Sequence, residues 1–155
     1  MNFKITGLPA VEFEALLHLD DDTLRAHGAQ RLVVDVADAY PCRITLEDAA
    51  PGEEVLLLSH AHQRAPSPYA ASGPIFIRRR ATTTADFLNQ VPDQQRRRLL
   101  SVRAYDRRNW IIDAEVTPGS ELRPLIARLL KNREVTYLHV HNARYGCYAC
   151  RVDRA

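Results

Sequence analysis

The chain has 155 residues, a mass of 17.6 kDa, 46% hydrophobic and 26% charged residues, and a formal net charge of +2. This is ordinary globular usage at a size suited to one domain, 1–155, and it excludes a fibrous repeat or a low-complexity, disordered chain. The longest aliphatic run, Val55-Leu56-Leu57-Leu58, is far short of the roughly 20 apolar residues that a membrane helix requires.

Phe3 and Ile5 alternate as in a short strand ending at Gly7. Pro9 then opens a helix with Phe13, Leu16 and Leu17 on one face, and Asp20-Asp21-Asp22 reads as the capped start of another, closed by Gly28. Strand-like runs follow at 31–36, 42–46, 54–59 and 74–78, with a loop of about a dozen residues from His60 to Gly73, a length often associated with function. Residues 82–88 and 93–98 carry a weak helical pattern interrupted by Pro92. Residues 99–105 and 110–116 are β-rich and joined through Asp106-Arg107-Arg108-Asn109, a type I turn hairpin. Leu122, Leu125, Ile126, Leu129 and Leu130 keep a 3.6-residue period behind Ser120, a candidate cap. Residues 135–142 and 147–152 close the chain as a hairpin. The expectation is an α+β domain: a largely antiparallel or mixed β-sheet with three or four helices packed against it.

Charge is unevenly placed. Residues 1–77 carry 5 basic and 11 acidic side chains, and residues 78–155 carry 16 and 8. The excess gathers in Arg78-Arg79-Arg80 and Arg96-Arg97-Arg98, which could serve a nucleic-acid or protein partner; solvated surfaces at element ends explain them more simply. Of the 21 basic residues only Lys4 and Lys131 are lysine, so the preference for arginine is general. Ser101, Arg103 and Tyr105 alternate on one strand and Asp113 and Glu115 on the next, which suggests an Arg103–Asp113 cross-strand ion pair. The N-terminus lacks the apolar stretch and cleavage site of a secretory signal, so a cytoplasmic protein with reduced thiols is expected. Cys147-Tyr-Ala-Cys150 matches C-x-x-C, but no second pair completes a zinc ribbon, and residues three apart on a strand face opposite ways. No cofactor is called for.

Four of six histidines fall in two H-x-H pairs, His60 with His62 and His139 with His141. On a strand, i and i+2 share a face, so each pair can present two imidazoles for metal binding or proton transfer. The acidic ligand and glycines of a cupin metal strand are absent around His60 and His62, and no metal ligand is assigned. Which cysteine joins His139 and His141 depends on register. A regular four-residue turn pairs Asn142 with Cys147 and puts Cys150 on the histidine face; a bulge at Gly146 puts Cys147 and Arg151 there instead.

Tyr40-Pro-Cys-Arg43, Ser67-Pro-Tyr69, Ser72-Gly-Pro-Ile-Phe76, Arg103-Ala-Tyr-Asp106, and His139-Val-His-Asn142 with Gly146-Cys147 and Arg151 together resemble a bacterial family known as domain of unknown function 1203. The similarity extends nearly end to end, from Ile5-Thr-Gly-Leu-Pro9 onward. The resemblance implies a single-domain bacterial protein and carries no reaction, cofactor or partner. It favours Cys147 over Cys150 and draws attention to Cys42, Arg43, His62, Tyr69, His139, His141, Asn142 and Cys147.

The leading expectation is a pocket lined by Arg43, His62, His139 and His141, with Tyr69 and Asn142 as further ligand contacts, binding a small anionic ligand. An enzymatic version uses His139 or His141 as general base and Cys42 or Cys147 as nucleophile. The rivals are a metal-binding protein using the H-x-H pairs and an interaction module using the arginines. A homo-oligomer is compatible with all of these, and no membrane partner is expected.

Overall fold

The computed structural model describes residues 2–155. In chain order these form β1 (Phe3–Thr6), α1 (Glu14–Leu17), α2 (Asp21–Ala26), β2 (Ala29–Val33), β3 (Glu54–Gln63), β4 (Ala71–Arg78), β5 (Asp86–Leu88), α3 (Asp93–Arg96), β6 (Leu99–Tyr105), β7 (Ile111–Pro118), α4 (Leu122–Leu129), β8 (Tyr137–Asn142) and β9 (Tyr148–Arg154). The architecture is α+β. Six strands in the order β5-β1-β9-β8-β6-β7 make one antiparallel sheet, and β2-β3-β4 make a second. No helix among the described residues is long and apolar enough to cross a membrane.

One face of the larger sheet is covered by α4. The predicted stripe Leu122, Leu125, Ile126, Leu129 and Leu130 is buried against Leu100, Val102, Leu138, Val140 and Val152, the alternate residues of β6, β8 and β9. Each such side chain contributes about 1.5–3 kcal/mol on burial. The other face of β8 meets the far end of β3, so all six residues of β8 are buried. A strand enclosed on both sides admits polar residues only where neighbours satisfy them, and its histidines are therefore the notable feature.

Several local expectations are corrected. Residues 42–46 are not a strand, although Cys42, Ile44 and Leu46 alternate and are all buried. Their backbone bonds to scattered partners rather than along one strand: Leu8 N donates to Arg43 O (2.7 Å), Ala85 N to Ile44 O (2.8 Å) and Arg43 N to Phe76 O of β4 (3.0 Å), where Cys42 makes a single isolated bridge. This segment crosses Gly7 so closely that a Cβ there would lie 2.1 Å from Ile44 O. The loop expected from His60 to Gly73 shrinks to 64–70, because β3 runs to Gln63 and β4 begins at Ala71. Pro74 is tolerated because β4 is an edge strand, where a missing N–H costs little.

The helix expected after Pro9 breaks into a 3-10 turn, Ala10–Glu12, and the short α1. Residues 82–88 give no helix: β5 pairs with β1, and Asn89 Oδ1 accepts from Phe3 N at 2.9 Å. Asp20 caps α2 as expected, accepting from Thr23 N at 2.7 Å. Ser120 does not cap α4; it lies within a 3-10 turn, Gly119–Glu121, that leads into the helix. The Arg103–Asp113 ion pair is also absent. The register sets Arg103 opposite Ala114 and Asp113 opposite Ala104, and Arg128 of α4 pairs with Asp113 (3.7 Å) and Glu115 instead.

Candidate functional site

The C-terminal hairpin decides which side chains meet, and its register combines features of both alternatives. Gly146 takes φ +74°, yet Asn142 N donates to Cys147 O (2.9 Å), as in a regular turn. The bulge comes further along. Val140 pairs with Cys150 and His141 with Tyr148, so Ala149 is the extra residue. Beyond it the alternation is reset: Arg151 stands opposite His139, and Cys150 is sealed in the core under α4. Burial raises the Cys150 thiol to about 12. All three cysteines are free, so the C-x-x-C spacing makes no disulfide.

A second bulge separates the other histidine pair. In the β3–β4 pairing Ala61 faces Ser72 and Gln63 faces Ala71, leaving His62 as the inserted residue. His60 lies against Phe13, with ring centroids 5.7 Å apart. The His62 ring is 5.0 Å from His141 and 6.2 Å from His139, and it stacks on Tyr148 at 5.4 Å. His139 in turn touches Tyr105, Tyr137 and Tyr148 at 5.0–5.1 Å. The two sheets thus meet through a buried layer of three imidazoles and three phenols. Gln63 Nε2 donates to the Tyr137 hydroxyl (2.7 Å), which donates to Asn109 Oδ1 (2.8 Å).

His141 Nδ1 donates to Gly146 O at 3.0 Å, leaving Nε2 as the unprotonated nitrogen. His141 Nε2, His139 Nδ1 and both nitrogens of His62 are buried without a hydrogen-bond partner. Burial, reinforced by Arg103 and other nearby cations, depresses all three imidazoles, His139 to about 3 and His141 to about 4. They are therefore neutral, weak bases near neutral pH. Among the described residues, no group of three or more His, Cys, Asp or Glu side chains is arranged to hold a metal ion.

Arg43 and Cys147 meet elsewhere, across 104 residues of sequence. The Arg43 side chain is 1% exposed, and burial lowers the stability of its charge. Nε donates to Tyr148 O (2.7 Å), Nη1 to Pro41 O, and Nη2 to Cys147 Sγ (3.0 Å). No carboxylate is among these partners. Asn142 Nδ2 approaches the same sulfur at 3.6 Å. Arg43, Asn142 and Cys147 lie at the wall of a cleft of about 1010 Å³, whose other surfaces include Leu32, Leu57, Phe76 and Leu99. Cys147 is half-buried there, whereas Cys42 is fully buried and its sulfur accepts from Arg78 N (3.3 Å).

The expected single pocket is thus divided. Arg43, Asn142 and Cys147 converge on the cleft, while His62, His139 and His141 form a separate enclosed cluster that does not line it. Tyr69 belongs to neither, and its ring meets Trp110 edge-on at 5.7 Å. Two features went unseen in the sequence. One is Tyr148, whose ring fills the gap between the histidines. The other is the cleft rim, where Asp38 receives Arg97 (2.7 Å), with Asp48 behind it receiving Arg97 (2.9 Å) and Arg98 (2.7 Å). Only the Arg96–Arg98 run hinted at this rim. Arg78 and Arg79 of the other triplet pair with Glu47, Glu53 and Glu54, so much of the arginine excess meets acids of the N-terminal half.

A family model described as "Protein of unknown function (DUF1203)" matches residues 39–154. The match begins after the first two helices, so it does not include the similarity expected from Ile5 to Pro9. No curated protein and no solved structure matches the chain.

Proposed function

The chain belongs to the DUF1203 family, whose function is not established, and from that premise we propose that its cleft is a small-molecule site with Cys147 as the reactive group. The observation that carries this reading is the Arg43 guanidinium: almost wholly buried, bonded to two carbonyls and one sulfur, and without an acid. A buried cation is costly unless an anion answers it. Cys147 Sγ is the side-chain acceptor among these bonds, so the guanidinium holds the sulfur in place at the cleft wall, as a nucleophile or a ligand-gripping thiol requires. Asn142 adds a neutral donor on the same atom.

This reading replaces a thiol served by histidine with one held by arginine. His139 and His141 are enclosed and weakly basic, and the groups on Cys147 Sγ are Arg43 and Asn142. Alkylation of the folded protein with iodoacetamide tests it. Cys147 should be labelled at pH 7 while Cys42 and Cys150 stay unlabelled until unfolding. An Arg43→Gln variant that keeps its native circular dichroism should react about tenfold more slowly, the scale of one charged hydrogen bond. An inert Cys147, or an unchanged rate in the variant, refutes the proposal.

A further inference from the structure

The charges around the cleft are one-sided. Arg43, Arg97, Arg98 and Arg144 line it, against one carboxylate, Asp38. Asp38 already holds Arg97, and Asp48 behind the rim holds Arg97 and Arg98. A cationic ligand entering here would meet guanidinium groups and acids already engaged, an arrangement that discriminates against it. Arg144 is exposed and lies 5.7 Å from the Tyr145 ring centroid, at the hairpin tip that borders the opening.

Most of the remaining surface is apolar. Leu32 and Leu57 from the smaller sheet face Leu99 of the larger, with Phe76 and Pro74 beside them. The volume of about 1010 Å³ stands at the upper end of small-molecule sites, roughly 300–1,000 Å³, and exceeds what a single ring fills. Such walls reward an extended apolar body, and the arginines select the sign of its charge.

Building on the reading of Cys147 as the centre of a small-molecule site, we infer that the cleft takes an amphipathic organic anion. Its body is of bicyclic size or larger and lies along Leu32, Leu57 and Phe76. Its acid group is directed toward Arg144. The same walls would hold an isosteric amine only against the field of the arginines.

Two probes with one ring system and opposite charge isolate this claim: 2-naphthoate and naphthalen-2-ylmethylammonium, at equal ionic strength. The naphthoate should slow iodoacetamide labelling of Cys147 in the intact protein about tenfold more than the ammonium at equal concentration. Arg144→Glu should weaken that protection about tenfold, and Arg144→Lys should largely keep it. Equal or better protection by the ammonium overturns the inference. So does a failure of the naphthoate while Cys147 still reacts, and that result leaves the Cys147 reading standing. A thiol that does not react at all refutes the Cys147 reading, and titration calorimetry with the two probes then decides the charge preference without it. Tighter naphthoate binding supports the inference, and absent or reversed preference refutes it.

Discussion

Acidification to pH 5 should destabilise this fold well before its carboxylates titrate. His139 and His141 are depressed from 6.5 to about 3 and about 4, chiefly by burial. Above pH 6.5 both imidazoles are neutral whether the chain is folded or not, and they add nothing to the pH dependence. Below it the unfolded chain takes up protons that the folded one refuses, so stability falls with pH and the loss levels off only below about 4 and about 3. Between pH 7.5 and 5 each histidine costs about 2 kcal/mol, or about 4 kcal/mol for the pair. His60 and His62 are lowered too and act in the same direction. Against a usual stability of about 5–15 kcal/mol this is a large fraction. Urea unfolding followed by far-ultraviolet circular dichroism should show the midpoint falling by roughly 2 M across that range. In His139→Gln the dependence should shrink by about half. A midpoint that stays level from pH 7.5 to 5, or a variant with the full slope, would refute the account of neutral buried imidazoles.

Two further substitutions test the framework that holds the site. Gly7→Ala should lower stability by more than about 2 kcal/mol, or prevent folding, because the new methyl would collide with the Ile44 carbonyl of the segment that carries Arg43; an unfolding curve matching the parent would contradict that crossing. Ile126→Ala should cost about 2–5 kcal/mol in chemical denaturation by opening a cavity between α4 and the sheet; a loss below 1 kcal/mol would mean α4 is not seated there.

What could be read in the sequence was whatever depends on near neighbours. The α4 stripe, the order of β6 to β9 and the Asp20 cap all follow from spacing within a few residues. Residues 42–46 show where this fails. Burial alternates there because the segment is wedged between the two clusters of apolar residues, and alternating burial does not require strand pairing. The site was half legible. Arg43, Asn142 and Cys147 were singled out, but their separation from the histidines follows from contacts across a hundred residues and from two bulges. Neither bulge carries a glycine or proline to announce it: the extra residues are His62 and Ala149.

Those two extra residues are spacers, and this makes chain length matter differently on either side of them. Removing Ala149 would set Cys150 directly after Tyr148, still opposite Val140, so Cys150 and Val152 would stay in hydrocarbon and Arg151 and Asp153 outside it. Adding one residue between Cys150 and Arg151, where pairing is regular, would exchange the two sides of everything after it and drive Arg151 and Asp153 into hydrocarbon, in a strand that pairs on both edges. Tolerance of deletion at Ala149 and intolerance of insertion just beyond Cys150 should therefore coexist.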